Sequence, residues 1–90
     1  MPKPKIDKIA RRDFFRTLMM VKRESLEELF KDLMSSAEIK DLSRRFLAAK
    51  LLREGKTYLE VREILGMGET TINKIHFKTR GSKVLPDLLD

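Results

Sequence analysis

Residues 57–75 read TYLEVREILGMGETTINKI, and this stretch constrains the fold more than any other. Thr57 and Glu60 stand three apart, the capping-box spacing in which each side chain satisfies a backbone N–H at a helix start. The spacing predicts a short helix from about Tyr58 to Leu65, and Gly66 can end it in the left-handed conformation without steric cost. Gly68 and Glu69 then open a second helix, with the acid in the first turn, where the helix dipole favours it. Val61 and Leu65 share one face of the first helix, Ile72 and Ile75 share one of the second, and Met67 lies in the turn, placed to plug the junction. Two short helices therefore meet across about three residues.

The other face of the second helix carries Thr70, Thr71, Asn73, Lys74, Lys78 and Arg80. It is small and polar at its start and basic further on, which suits a helix lying in a major groove with phosphates on either side. The same turn also fits an αα-hairpin that only packs. Charge favours the first reading. The chain has a net charge of +6, divided as +6 over residues 1–23, −1 over 24–55, +3 over 56–83 and −2 over 84–90. Positive charge gathered near the turn favours a polyanion and by itself leaves nucleic acid and membrane open; combined with the apolar spacing and the polar outer face it favours double-stranded DNA.

The rest of the chain reads as helices, without strand periodicity or repeats. Ninety residues suit one domain with a modest core, and the absence of Cys excludes disulfides, thiolate metal sites and a thiol nucleophile. A reducing cytosol is the expected compartment, with nucleoid association if DNA is the partner. The longest apolar run, LMMV at 18–21, is too short to span a bilayer, and the start resembles no signal peptide, so no membrane is expected. From Asp7 to Arg23 the residues Phe14, Phe15, Leu18, Met19 and Val21 cover an arc of roughly 160°, more than a lone surface helix needs. That excess predicts half of a subunit interface. SLEELFKDL opens with Ser25 and Glu28 in capping-box spacing, and Ser35 with Glu38 repeats it before a longer helix striped by Ile39, Leu42, Phe46 and Ala49 and ended by Gly55. The expected organisation is a flexible basic arm at 1–6, dimerisation helices over 7–55, the helix-turn-helix at 57–80 and a short tail at 84–90. Lys3, Lys5, Lys8, Arg11 and Arg12 either follow DNA phosphates or form a solvated tail.

Arg12 to Arg80, and above all LAAKLLREGKTYLEVREILGMGETTINKI, resembles the tryptophan operon repressor family, and within it the small co-repressor-independent relatives of the YerC/YecD type. LLREG-TY matches the family's close of the long helix, and the glycine turn followed by TI matches its helix-turn-helix. The resemblance implies an all-α, intertwined homodimer of five to six helices per chain that regulates transcription from DNA. It places Thr70, Thr71 and Asn73 at base edges and Arg62 on the backbone, with Lys74, Lys78 and Arg80 flanking phosphates. The resemblance also implies largely water-mediated base contacts, for which Thr and Asn suffice as readers.

Two departures matter. Glu69 puts a carboxylate at the tip of the reading helix, where it accepts from a cytosine amino group, only caps its helix, or weakens binding. Arg45 and Ser35 fall on family positions that help hold tryptophan, but Lys74 replaces the second clamping arginine, Ile75 the glycine that leaves room for the indole, and Asp32 a leucine. Tryptophan is therefore not expected to bind, and no other cofactor is expected. His76 stands alone without metal-ligand spacing, and Glu24, Glu27 and Glu28 suit a helix start better than acid/base work. No catalysis and no metal are expected. The rival reading is a dimeric protein-interaction module that keeps the helix pair as scaffold, with Glu69 as its best support.

Overall fold

The computed structural model describes residues 3–89, and among them every regular element is a helix. α1 spans Lys3–Leu18, α2 Leu26–Leu33, α3 Ser36–Arg53, α4 Tyr58–Leu65, α5 Glu69–Thr79 and α6 Leu85–Leu89, with a single 3₁₀ turn at Arg23–Ser25. No helix among the described residues is long and apolar enough to cross a membrane. The chain forms two compact units, residues 1–36 and 37–90.

In the first unit the apolar pattern misplaces both ends of α1. The helix begins at Lys3, inside the stretch expected to be a flexible arm, because a proline in a first turn gives up an N–H that has no helical acceptor anyway. Residues 1 and 2 of that arm lie outside the described residues. The helix stops at Leu18 rather than Arg23. Its last turn tightens, with Met20 N–H donating to the Thr17 carbonyl at 3.0 Å, and Met19 and Met20 stand exposed. The apolar spacing runs on past this stop, so periodicity carries no sign of it. Ser25 is not a capping residue. It belongs to the 3₁₀ turn, with helical φ −98° and ψ −5°, and its side chain makes no capping bond because the cap requires an extended backbone. None of the described residues through Ser36 is buried.

The second unit holds the core. Ala48 and Ala49 of α3, Val61 and Leu65 of α4, and Ile72 and Ile75 of α5 are buried together, with Met67 packed against them from the turn. The expected junction is thus formed by the expected residues. Gly55 closes α3 at φ 91°, with Lys56 N–H donating to Leu51 O and Gly55 N–H to Leu52 O, the paired bonds of a Schellman motif. Of the α3 stripe, Ala49 is buried and Ile39 half-buried, whereas Leu42 and Phe46 are exposed. The expected tail contains α6, for which Ser82 Oγ accepts from the N–H groups of Val84 and Leu85 at 3.2 and 3.1 Å. Its Leu85 packs on the core cluster, while the last tail residue, Asp90, lies outside the described residues.

The capping box that starts α4 is complete. Thr57 Oγ1 accepts from Glu60 N–H at 3.1 Å, and Glu60 Oε1 accepts from Thr57 N–H at 3.1 Å. The Thr57 backbone bond, its hydroxyl and the Lys56 ammonium hold the Glu60 carboxyl below its ordinary pKa of 4.5. A lowered folded-state pKa stabilises above the unfolded value and is lost as pH falls through the folded one. Thr57→Ala removes the cap hydroxyl that accepts from Glu60 N–H and is expected to destabilise the chain by about 1 kcal/mol near neutrality. Urea unfolding should show the gap between wild type and variant narrowing on acidification below 4.5. A gap independent of pH would mean that the two side chains do not act together.

Candidate nucleic-acid interface

α4 and α5 are joined by Gly66, Met67 and Gly68, and the geometry of this turn decides which way α5 faces. Gly66 caps α4 with φ 68° and ψ 20°, and its N–H donates to the Arg62 carbonyl at 2.7 Å. A side chain at that φ costs roughly 1–2 kcal/mol, which glycine avoids. Gly68 is extended, at φ −69° and ψ 152°, and its carbonyl accepts from Ile72 N–H at 3.1 Å, so α5 starts at once. Val61 and Ile72 are fully buried on either side of the junction. This seam fixes the roll of α5 and turns the opposite face to solvent.

On that face Glu69, Thr70, Thr71, Asn73, Lys74 and Lys78 are all exposed, and Arg80 beyond them is exposed too. They do not form one cluster. Arg62 of α4 and Glu69 of α5 line a hollow of about 140 Å³ with Tyr58 and Leu59, at the turn end of α5. The two charges share this hollow without an ion pair. Thr71, Lys74 and Lys78 instead border a larger groove of about 520 Å³ between α3, α5 and α6. Its floor is apolar, from Phe46, Ala49, Ile75 and Leu85, and its rim is cationic, from Lys74, Lys78 and Arg45. Arg45 also pairs with Asp41 at 3.2 Å, a surface contact of little energetic weight. Arg80 lies at the C-cap of α5 and not on its helical face.

Two features of the site, the tie from Tyr58 and the exposure of Phe77, were missed in the sequence, whereas a packing position for His76 was expected. Tyr58 reaches across from α4 to α5, its hydroxyl donating to Asn73 Oδ1 at 3.0 Å and lying 2.6 Å from His76 Nδ1. Asn73 is thus tied to a neighbouring helix, and His76 holds a structural contact. Phe77 is 56% exposed on the outer face, with the Arg80 guanidinium 4.2 Å from its ring centroid. Its position four residues after Asn73 is the signal that places it on that face. Among the described residues no group of acidic, His or Cys side chains could hold a metal ion.

Comparison with curated proteins and with solved structures gave no match. The family comparison did. The family model described as Trp repressor protein matches residues 12–88, from within α1 to within α6, and takes in both helices of the candidate interface and the glycine turn between them. The chain belongs to the Trp repressor protein family.

Proposed function

We propose that the chain is a sequence-specific double-stranded DNA-binding protein and transcriptional regulator, acting as a homodimer without tryptophan as co-repressor, in the manner of the YerC/YecD-type members. The observation that carries the reading is the roll of α5. Ile72 and Ile75 are buried against α4 and α3, which leaves Thr70, Thr71, Asn73, Lys74 and Lys78 on the solvent side. A helix with small polar residues followed by cations on its free face is shaped for base edges and phosphates. Family membership supports the same partner.

The dimer rests on unpartnered apolar surface. Phe15, Leu26 and Leu33 of the first unit are exposed, as are Leu42, Phe46 and Leu47 of α3. A unit in which none of the described residues is buried has little to hold it together, and a second copy supplies the missing cover. Fluorescence anisotropy of a labelled random-sequence duplex across a salt series, with mass measured in parallel, tests both points. Micromolar binding by a species of dimer mass, weakening steeply with salt, is expected. A folded dimer that binds nothing at low salt would move the function to protein partners.

The exclusion of tryptophan rests on Ile75. Its side chain is only 8% exposed and forms part of the groove floor beside Ala49, so it takes the space that a glycine at this position would leave to an indole. Overpacking of this kind is costly, and the groove's cations offer a carboxylate only exposed partners. Calorimetry of the full chain with tryptophan is expected to show no heat of binding, and a micromolar affinity would refute the exclusion.

A further inference from the structure

We infer that Tyr58 and His76 are positioning residues that fix which edge of the Asn73 carboxamide faces DNA, so that Asn73 offers hydrogen-bond donors and selects guanine. The inference rests on the DNA-binding reading and specifies what one of its contacts recognises.

Tyr58 is the first residue of α4, and its half-buried ring packs on the core cluster. From there its hydroxyl meets two groups of α5 that stand three residues apart on neighbouring surface positions, Asn73 and His76. The Tyr58 and His76 rings stand edge-on, 86° between planes and 5.6 Å between centroids. A phenol has a single hydrogen to donate. Here that hydrogen goes to Asn73 Oδ1 at 3.0 Å, so the 2.6 Å contact to His76 Nδ1 is satisfied only if Nδ1 carries a proton and donates to the phenol oxygen. The result is a directed chain from His76 Nδ1–H to Tyr58 Oη–H to Asn73 Oδ1.

Reversing the amide would break the chain. Tyr58 would then face N–H donors from both Asn73 and His76, and its own hydrogen would have no acceptor among the three. Only a change of the His76 tautomer would restore the bonds. The amide's orientation and the imidazole's proton are thereby coupled, as the second nitrogen of a histidine is commonly set by the bond the first one makes. With Oδ1 held toward α4, the Nδ2 hydrogens of exposed Asn73 point away from Tyr58. Two donors match the paired N7 and O6 acceptors of guanine, whereas the bidentate contact of asparagine with adenine needs the carbonyl oxygen as acceptor for the N6 amino group. Asn73 is thus turned from the usual adenine reader into a donor-only reader.

Two measurements on the full chain test this. Nitrogen-15 spectra of the neutral His76 imidazole should show the proton on Nδ1 in wild type, and a proton on Nε2 instead would overturn the chain. Selection from randomised duplexes should give wild type one position per half-site where guanine exceeds adenine by roughly tenfold, a preference that Asn73→Ala erases. Tyr58→Phe keeps the ring and removes the hydroxyl, and should reduce that ratio to below about threefold while preferences elsewhere persist. His76→Leu should do the same. Because each ratio is read within one variant, a uniform change in affinity drops out. An unchanged ratio in Tyr58→Phe, or adenine preferred by wild type at that position, overturns the inference alone. Wild type that selects no sequence overturns the DNA-binding reading and the inference with it.

Discussion

Ile72→Ala is expected to destabilise the protein by about 2–5 kcal/mol. Ile72 is fully buried at the seam of α4 and α5, opposite fully buried Val61, and in this second unit few side chains share the core. Truncation removes the transfer energy of the lost methyl groups and leaves a cavity that two short helices, pinned by a three-residue turn, collapse around poorly. Against a total of roughly 5–15 kcal/mol for a small protein, the loss is a large share of the stability. The neighbouring Thr71→Ala, exposed on the same helix, should stay within about 0.5 kcal/mol. Thermal and urea unfolding at fixed protomer concentration reads the difference. An Ile72→Ala loss below about 1 kcal/mol would show that this seam does not set the orientation of α5.

That seam was also the part of the fold most legible in the sequence, because local rules specify it. The Thr57–Glu60 capping box, the left-handed Gly66 and the spacing of Val61, Leu65, Ile72 and Ile75 each depend on residues a few positions apart. Where the decisive information is not local, the reading fails. Apolar periodicity names a face but not what covers it, so Leu42 and Phe46 share a stripe with buried Ala49 and are exposed in the single chain. It is equally silent on where α1 stops, since Met19 and Val21 continue the pattern beyond Leu18. Ser25 has the right type and spacing for a cap but the wrong backbone. α6 carried its own signals, a serine before a Pro86 and Asp87 first turn, yet acidic residues near an end read as tail. Within the candidate site, side-chain types and exposure on α5 were legible, whereas the tie from Tyr58 to Asn73 and His76, 15 and 18 residues on, exists only once the helices cross.

Reversing the charge of Lys74 and Lys78 should strongly weaken DNA binding while sparing the fold. Both are exposed on α5, and both border the same cationic rim, so neither supports the core. Lys78 lies in the last turn, where its loss as a partner of the helix dipole costs about 0.3–1 kcal/mol, too little to unfold the chain. The effect on DNA is larger. Each cation placed on a phosphate releases about 0.9 of a counterion, so a dimer losing four such contacts should lose about 3 to 4 from the slope of log affinity against log salt. The added repulsion from glutamate takes the affinity loss at low salt to roughly a hundredfold or more. Lys31→Glu with Lys40→Glu changes net charge equally on α2 and α3 and controls for unspecific attraction. If both double variants remain dimers and only the α5 pair loses binding, the phosphates are met by α5 itself. If the two lose affinity alike, the attraction is a property of net charge alone. If neither does, α5 is scaffold, and exposed Glu69 with Leu59 of α4, which line one hollow, marks the surface on which to look for a protein partner.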